Sequence, residues 1–406
     1  MTGSRPPRVL WAPYAQKGSV YPVVPVVSAL KQAGAEVTLL GLPRMRGLAD
    51  ALGVEFSPYR SGITYDWSKP DGRDRHGLGP GQGSDWFHRR VADEFAEVER
   101  LVRSLRPDVL LVDSFVVGGG LAAESLATPW ASYVHYLFDE SAETDAMHRV
   151  WWEDGDSADL DAYRAWWDEV RAGVGLGPET RDRREAPWYR MSPQYTFMLG
   201  HPRLRRGDRE LPAFVTRTSV RPWDEPAPPD GAPHRGADDR GGRPRVLVAN
   251  SSAWQDDADL VRAALEGLPD AEVVVTVSAE HALDVEPAGN ATVLPYWPHT
   301  DLLPSVDAVL TTAGYGIVSK ALWFGKPVVA VPHARDQHYV AEAVAAAGCG
   351  AAIPWPPKPD TVAEAVSGVL ASPAVADRVA RLSGPMAGFP SADDVASSVL
   401  ALAKRG

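Results

Sequence analysis

Short apolar runs alternate with amphipathic stretches along most of the chain. The segments Arg8–Pro13, Val109–Val112 and Arg245–Ala249 are mostly apolar, and each is followed by polar or turn-forming residues. Apolar runs of this length without a helical period are typical of buried strands, whereas the stretches between them repeat apolar side chains at helical spacing. The alternation predicts an α/β protein in which helices connect parallel strands.

This alternation occurs in each half of the chain, and an irregular segment divides the halves. Residues 221–244 are rich in proline, glycine and charge and have no apolar period, which is typical of a linker. A chain of 406 residues with 45% hydrophobic side chains can form two cores. We therefore predict an N-terminal domain at 1–220, a C-terminal domain at 245–385, and a closing segment at 386–406 whose helix packs back on the N-terminal domain. The predicted strands are Arg8–Pro13, Val37–Leu40, Val109–Val112, Trp130–Val134, Arg245–Ala249, Val273–Val277, Thr292–Leu294, Ala308–Thr312 and Val328–Val331, and the predicted helices include Ser84–Leu105, Ala374–Leu382 and Ala392–Ala403.

Composition and charge narrow the classes of partner. The formal net charge is −12 and the sequence pI is about 5.3, which argue against nucleic acid or an anionic membrane as the main partner. Cys349 is the one cysteine, so the chain can form neither an internal disulfide framework nor a thiolate metal cluster. No apolar run reaches about 18 residues, and we therefore expect a soluble cytoplasmic protein.

A glycine turn between a predicted strand and a predicted helix is the strongest candidate site in the second half. The strand Ala308–Thr312 leads into Ala313-Gly314-Tyr315-Gly316, after which apolar residues recur at helical spacing. Free N–H groups at a helix start, together with the helix dipole, favour an anion such as a diphosphate. Tight packing also requires glycine, so the turn alone leaves both interpretations open. Asp336 and Gln337 begin another helix at the same edge of the predicted sheet, and they favour the ligand site.

Asp113 is the main candidate in the first half. It follows a predicted strand at the edge where open α/β sheets place their ligands, although a cap on the following helix explains it equally well. Aromatic side chains are dense between Tyr133 and Tyr195. Such residues are more often core, but a cluster outside the regular βα pattern is also able to wall a pocket for a flat or apolar molecule.

Several motifs together resemble the GT-B glycosyltransferases of family 1. In the second half they are Leu-Pro-Tyr-Trp-Pro-His at 294–299, Thr-Thr-Ala-Gly-Tyr-Gly at 311–316, Gly-Lys-Pro-Val-Val-Ala-Val-Pro at 325–332 and Asp-Gln at 336–337. Gly-Ser-Val-Tyr-Pro at 18–22 and Pro-Asp-Val-Leu-Leu-Val-Asp at 107–113 match the first half of that family. The chain is similar above all to bacterial enzymes that decorate macrolides, enediynes and other natural products. The resemblance implies a GT-B fold, in which two Rossmann-like αβα domains face each other across a ligand cleft.

The resemblance also implies a reaction. A hexosyltransferase of this family moves a sugar from a dTDP- or UDP-sugar to a natural-product acceptor, aromatic or polyketide-like, with inversion and without a metal or other cofactor. The expected partners are this nucleotide sugar and a small-molecule aglycone, with no nucleic acid or membrane, and assembly as a homodimer is left open. The residues that the family pattern assigns to the donor, or that stand where it has a donor contact, are Ser252, Tyr296, Trp297, His299, Thr312, Ala313, Gly314, Tyr315, Gly316, Lys320, Asp336 and Gln337. The aromatic residues that we predict to line the acceptor pocket are Trp67, Trp86, Phe87, Tyr133, Tyr136 and Trp152.

Three positions depart from the family pattern. Ser19 follows Gly18 where the family has its catalytic histidine, and a serine cannot act as a general base unless a neighbour takes its proton. Thr312 replaces the histidine that begins the phosphate turn. Lys320 replaces a glutamate that binds the ribose; it is either a contact to a phosphate or donor carboxylate or a solvated helix lysine.

These departures leave alternative functions open. In the first, the protein is an active transferase whose base has moved to Asp139, to His135 or to Asp113 itself, with Ser19 in the old position. In the second, the fold persists without turnover, and the protein binds a partner transferase or a biosynthetic intermediate. A third, a sugar-nucleotide epimerase of the same fold, is disfavoured by the aromatic density of the first half.

Overall fold

The computed structural model describes residues 5–60, 84–138, 160–182, 185, 188–207, 210–227, 242–251, 257–277, 289–294, 296–334 and 336–404. The chain forms two compact units. The first unit consists of Met1–Leu199, Gly207–Val220 and Phe389–Gly406, and the second unit of Gly200–Arg206 and Arg221–Gly388. Within the described part of the chain, every helix is too short or too polar to cross a membrane.

A parallel sheet forms the centre of the first unit. Its seven described strands follow the order β3-β2-β1-β4-β5-β6-β7. The strands are β1 Arg8–Ala12, β2 Glu36–Gly41, β3 Glu55–Pro58, β4 Val109–Asp113, β5 Trp130–Val134, β6 Thr196–Met198 and β7 Val215–Arg217. The helices are α1 Lys17–Val20, α2 Val24–Gln32, α3 Arg46–Leu52, α4 Ser84–Leu105, α5 Val117–Ser125, α6 Leu160–Gly173 and, from the end of the chain, α13 Ala392–Leu402.

The second unit repeats this architecture. Its six described strands are also parallel, in the order β10-β9-β8-β11-β12-β13. The strands are β8 Arg245–Ala249, β9 Glu272–Thr276, β10 Ala291–Leu294, β11 Ala308–Thr311, β12 Val328–Ala330 and β13 Gly350–Ala352. The helices are α7 Ala258–Gly267, α8 His299–Leu302, α9 Tyr315–Trp323, α10 Gln337–Ala346, α11 Pro359–Ala371 and α12 Pro373–Leu382.

The central strands β4, β5, β8 and β11 are buried at every position, because helices cover both faces of each sheet. This explains why their sequences are continuous apolar runs. In both sheets the strand order reverses beside the first strand, between β1 and β4 and between β8 and β11. Open sheets bind their ligands outside the carboxyl ends of the strands at such a point. The predicted α/β class, with a parallel sheet in each half, is confirmed.

The limits of the two units follow side-chain contacts more closely than sequence composition. Helix α13 begins with a capping box between Ser391 and Asp394, and it packs against α2, β4 and β5 within the first unit. Residues Gly200–Arg206, which we placed in the N-terminal domain, belong instead to the second unit. There His201 N–H donates to Ser319 Oγ at 3.1 Å, and its ring Nε2 lies 2.7 Å from the Leu382 carbonyl oxygen.

Candidate active site

Three adjacent strands of the first unit bring three polar residues to one edge of the sheet. Strand β4 lies between β1 and β5, and the register pairs Asp113 with Tyr133. Asp113 is the last residue of β4, His135 directly follows β5, and Ser19 lies in the short helix α1 after β1. The carboxyl ends of parallel strands lie at the same edge, so residues far apart in sequence come together there.

Ser19, His135 and Asp113 form a continuous chain of polar contacts. Ser19 Oγ lies 2.8 Å from His135 Nε2, and His135 Nδ1 lies 3.3 Å from Asp113 Oδ2. The Asp113 side chain is fully buried, and that of His135 is 8% exposed. In the described chain, neither Nδ1 nor Oδ2 makes a hydrogen bond, so each atom is the nearest candidate partner of the other. Because a buried carboxylate needs a partner, the contact with Asp113 fixes the orientation of the imidazole ring.

The two oxygens of Asp113 have different roles. Oδ1 accepts a hydrogen bond of 2.8 Å from the Phe115 backbone N–H, which closes the turn after β4. Oδ2 faces His135. Helix α5 begins later, after Val116, and no side chain caps it. Asp113 therefore shapes its own turn instead of capping a helix, and it retains one oxygen for the imidazole.

Aromatic rings surround the imidazole. Phe115 meets the His135 ring edge to face at 4.9 Å between centroids and stacks on Tyr136 at 5.0 Å. Burial raises the pKa of the Tyr133 phenol well above its usual value, and the Asp113 charge raises it further, so this side chain stays neutral. Of the predicted acceptor residues, Trp86, Tyr133 and Tyr136 are buried and Phe87 is partly buried. Many other aromatic residues of this region, including Tyr163, Trp167, Trp188 and Tyr189, are core.

Some predicted site residues lie outside the described residues. They are the alternative base Asp139, the donor residue Ser252 and the acceptor residues Trp67 and Trp152.

In the second unit, the glycine turn after β11 leaves open space at the start of α9. Ala313 takes the left-handed conformation (φ 64°), whereas Gly314, the N-cap residue, has φ −60°. A Cβ atom built on Gly316 meets no described atom within 4 Å, and one on Gly314 meets only Ile317 Cγ2 at 3.8 Å. Neither glycine is therefore required by packing or by its backbone angles. By contrast, a Cβ on Gly118 would lie 2.1 Å from the Val91 carbonyl oxygen, so that glycine serves packing of α5 on α4.

The N-terminus of α9 has no side-chain cap, and the first backbone N–H groups of a helix have no partner within the helix. Thr312 and Ala313 are almost completely buried beside it. The Tyr315 ring is also buried, and it packs against Gly200, where a Cβ atom would lie 2.4 Å from the ring. The turn thus offers backbone donors, and Tyr315 contributes to packing.

The Asp336–Gln337 pair lies at the start of α10, beside the carboxyl end of β12. Gln337 is 3% exposed, and its Oε1 accepts hydrogen bonds from the backbone N–H groups of His333 (2.9 Å) and Ala334 (2.8 Å). Its side-chain oxygen therefore organises the loop after β12. Asp336 is the N-cap residue of α10 and is partly exposed.

Lys320 is neither solvated nor directed at open space. Its Nζ donates to Asp224 Oδ1, and the side chains of the pair are only 14% and 5% exposed. Asp224 Oδ2 also accepts from the Thr300 backbone N–H at 3.0 Å. Asp224 belongs to residues 221–227, the start of the predicted linker, so this segment is tied to the second unit by a buried ion pair.

The 296–299 segment contacts the same part of the chain. The Tyr296 hydroxyl donates to the Glu225 carbonyl oxygen at 3.0 Å, and Trp297 is partly buried. His299 Nε2 lies 2.9 Å from Thr276 Oγ1. Burial, together with the nearby Lys320 charge, lowers the pKa of His299 to about 4, so its imidazole is neutral at pH 7.

Sequence inspection did not single out three polar groups at the carboxyl edge of the second sheet. Both side-chain atoms of Asn250, after β8, are buried and have no hydrogen-bond partner in the described chain, and the same holds for Thr311 Oγ1. His333 stacks on Trp355 at 3.9 Å between ring centroids, and its Nδ1 lies 3.9 Å from Asp257 Oδ1. A polar residue directly after an apolar strand is the signal that identifies Asn250.

Comparison with known proteins finds relatives for part and for most of the chain. Residues 262–402 match the family model described as erythromycin biosynthesis protein CIII-like, C-terminal domain. The chain is 29% identical over 371 residues to 4'-demethylrebeccamycin synthase of Lentzea aerocolonigenes, which covers 84% of this chain and 86% of that protein.

Solved structures share the fold along nearly the whole chain. The glycotransferase of kitacinnamycin superposes with a TM-score of 0.76 at 20% identity and covers 98% of this chain and 100% of its own. The glycosyltransferase VinC in complex with dTDP gives a TM-score of 0.71 at 21% identity and covers 98% and 100%. The predicted fold is therefore confirmed, and the chain is similar to GT-B glycosyltransferases that act in natural-product biosynthesis.

Proposed function

We propose that the protein is an inverting, metal-independent hexosyltransferase that uses His135 as its general base. The sugar comes from a dTDP- or UDP-sugar, and the acceptor is an aromatic or polyketide-like natural product. The observation that carries the proposal is the contact chain Ser19–His135–Asp113 at the carboxyl edge of the first sheet. It supplies an imidazole where the first-loop residue, Ser19, has none.

His135 has the geometry of a base that a carboxylate orients. With Asp113 Oδ2 accepting from Nδ1–H, the lone pair of Nε2 is available for a proton. As the ring becomes an imidazolium, the buried Asp113 charge stabilises it, because the two groups lie in a region from which water is largely excluded. The 3.3 Å contact is long for a hydrogen bond, and such contacts in ligand-free enzymes often shorten when substrate binds.

We propose that the nucleotide-sugar donor binds to the second unit. Its diphosphate would accept hydrogen bonds from the free N–H groups at the start of α9, where Gly314 and Gly316 leave room. The helix dipole then stabilises the negative charge that develops on the leaving nucleoside diphosphate, and a metal is not needed for that step. The dTDP complex of the structurally similar VinC supports this class of donor.

The reaction is a single displacement. An acceptor oxygen attacks the anomeric carbon while its proton passes to the protein, and the bond from that carbon to the diphosphate oxygen breaks. One displacement inverts the configuration. The aromatic rings around His135 favour a flat acceptor, and the name of one relative, 4'-demethylrebeccamycin synthase, supports a natural-product acceptor.

Donor binding and turnover test the proposal together. The wild-type protein is scanned for thermal stabilisation by dTDP, UDP and their glucose conjugates, because a ligand that binds only the folded state raises the unfolding temperature. Product configuration is read by NMR with EDTA present. We expect stabilisation, an inverted product and no effect of EDTA, and we expect His135→Gln to bind donor normally while losing about 100-fold in turnover.

Absence of both stabilisation and turnover would contradict the proposal and favour a binding protein with this fold. Stabilisation without turnover, unchanged in His135→Gln, would favour an auxiliary that retains only the nucleotide site. A retained configuration would exclude the single displacement.

A further inference from the structure

Both ring nitrogens of His135 are already engaged by the protein. Nε2 lies 2.8 Å from Ser19 Oγ, and Nδ1 lies 3.3 Å from Asp113 Oδ2. The ring is also flanked by Phe115 at 4.9 Å and Tyr136 at 5.8 Å between centroids, both edge to face. An acceptor hydroxyl that touched Nε2 directly would have to displace the Ser19 hydroxyl.

We propose that Ser19 is the residue that touches the acceptor and that it relays the acceptor proton to His135. This inference rests on the proposed transferase function and specifies how its base works. It makes Ser19 a catalytic residue and His135 the base behind it, with Asp113 as the positioning residue.

The step is balanced in protons and electrons. The acceptor O–H proton moves to Ser19 Oγ while the Ser19 O–H proton moves to His135 Nε2, so that serine ends as it began. The acceptor oxygen forms its bond to the anomeric carbon, and the electron pair of the broken bond leaves with the nucleoside diphosphate. His135 ends as an imidazolium next to the Asp113 carboxylate.

The local backbone suits this role. The N–H groups of Ser19 and Val20 both donate to the Gln16 carbonyl oxygen, at 3.0 and 2.9 Å, which fixes the turn that carries the hydroxyl. A Cβ atom built on Gly18 meets no described atom within 4 Å, so there is room beside Ser19 for an acceptor. A hydroxyl has one proton to donate and lone pairs to accept another, as a relay requires.

The same geometry would also allow Ser19 to act as a nucleophile. A serine, a histidine and a carboxylate in this order also describe the catalytic set of serine hydrolases. We favour the relay because it leaves the serine unchanged at the end of the single displacement proposed above, whereas a nucleophilic serine would require a covalent intermediate. Covalent labelling distinguishes the two roles.

The test compares Ser19→Ala with Ser19→Thr and with Ser114→Ala. Ser114 is a matched control, since its hydroxyl is equally buried, has no hydrogen-bond partner in the described chain and follows Asp113 directly. Each variant is assayed with UDP-glucose and dTDP-glucose for transfer to phenol, to the more acidic 4-nitrophenol, and to water as hydrolysis of the donor. Donor binding is measured separately by calorimetry.

We expect Ser19→Ala to lose about 100-fold in transfer to phenol and in hydrolysis, with donor affinity unchanged. Transfer to 4-nitrophenol should fall much less, because an acceptor that ionises readily needs little help from a base. Ser19→Thr, which keeps a hydroxyl, should recover most of the rate, and Ser114→Ala should behave as wild type. The solvent isotope effect, measured in mixtures of H2O and D2O, should indicate transfer of two protons in the wild-type protein. In Ser19→Ala it should indicate transfer of one proton.

Wild-type rates in Ser19→Ala with every acceptor would overturn the relay; if His135→Gln is still impaired, the proposed function stands without it. Labelling of Ser19 by a fluorophosphonate would assign a nucleophile instead. A wild-type protein that neither binds nor consumes the nucleotide sugars would overturn the relay together with the proposed function.

Discussion

The carboxyl edges of the two sheets differ in the contacts that their polar side chains make with one another. In the first unit, Ser19, His135 and Asp113 contact one another, so the proposed base is assembled before any ligand arrives. In the second unit, the start of α9 has no side-chain cap, and the polar atoms of Asn250 and Thr311 are buried without partners in the described chain. Buried polar groups are costly without partners. The comparison supports our proposal that the base is preassembled in the first unit and that a donor would supply partners for the polar groups of the second unit.

The two carboxyl edges also differ in charge. Lys320 of α9 is paired with Asp224, and the nearby His299 is neutral at pH 7. A diphosphate there would rely mainly on backbone N–H groups and the dipole of α9. Each of the following variants tests whether one of these groups stabilises the fold or takes part in ligand binding or catalysis.

The largest effect is expected at the carboxyl edge of the first sheet, where Ser19, His135 and Asp113 contact one another. Asp113→Asn should lower turnover by about 100-fold, no more than His135→Gln does, because the imidazole loses the carboxylate that orients it and stabilises its charge. Combining Asp113→Asn with His135→Gln should cost little more than His135→Gln alone, since residues that act as a unit are not additive. Rates of the two single variants and the double variant, measured at saturating donor, check this. Fully additive losses would mean that Asp113 acts independently of His135.

The sequence predicts the strands of this edge well, since Trp130–Val134 and Arg245–Ala249 are continuous apolar runs with clear ends. It also identifies Asp113 and Ser19 by position, and His135 as one of several alternative bases. The contact among these three depends on β4 lying between β1 and β5, and no local pattern encodes that order. The role of Asp224 could not be predicted, because the composition around it is typical of a linker. In addition, its partner, Lys320, is 96 positions away along the chain.

The next largest effect tests whether Lys320 is structural. Lys320→Met leaves the buried Asp224 carboxylate without its charged partner and should lower the free energy of unfolding by about 3 kcal/mol. Adding Asp224→Asn should restore much of the loss, because the buried charge is removed while an oxygen remains for the Thr300 N–H. Urea denaturation gives both values. If Lys320→Met is stable but binds dTDP poorly, the lysine contacts the donor instead.

A smaller, opposite effect is expected at Asn250. Asn250→Leu has a similar volume and removes two unpartnered buried polar atoms, so the protein should become more stable by about 1 kcal/mol. If the amide is reserved for the donor, the same variant should bind dTDP about 10-fold more weakly. Thr311→Val, which removes one unpartnered hydroxyl, is the matched comparison. A loss of stability with unchanged dTDP affinity would remove Asn250 from the donor site and weaken the contrast between the edges.

The smallest effect concerns pH. Because the pKa of His299 is about 4 in the folded protein and about 6.5 when unfolded, the unfolded chain binds more protons between these values. The stability associated with His299 is therefore complete above about pH 6.5 and is lost as pH falls towards 4. His299→Gln keeps a polar partner for Thr276 without titrating, so its unfolding temperature should fall by about 2 to 4 °C less than that of wild type between pH 7 and pH 5. Buried His201, whose pKa is also lowered by burial, contributes equally to both proteins, so the difference between the two scans isolates His299. Identical pH dependence of the two proteins would mean that folding does not lower the pKa of His299.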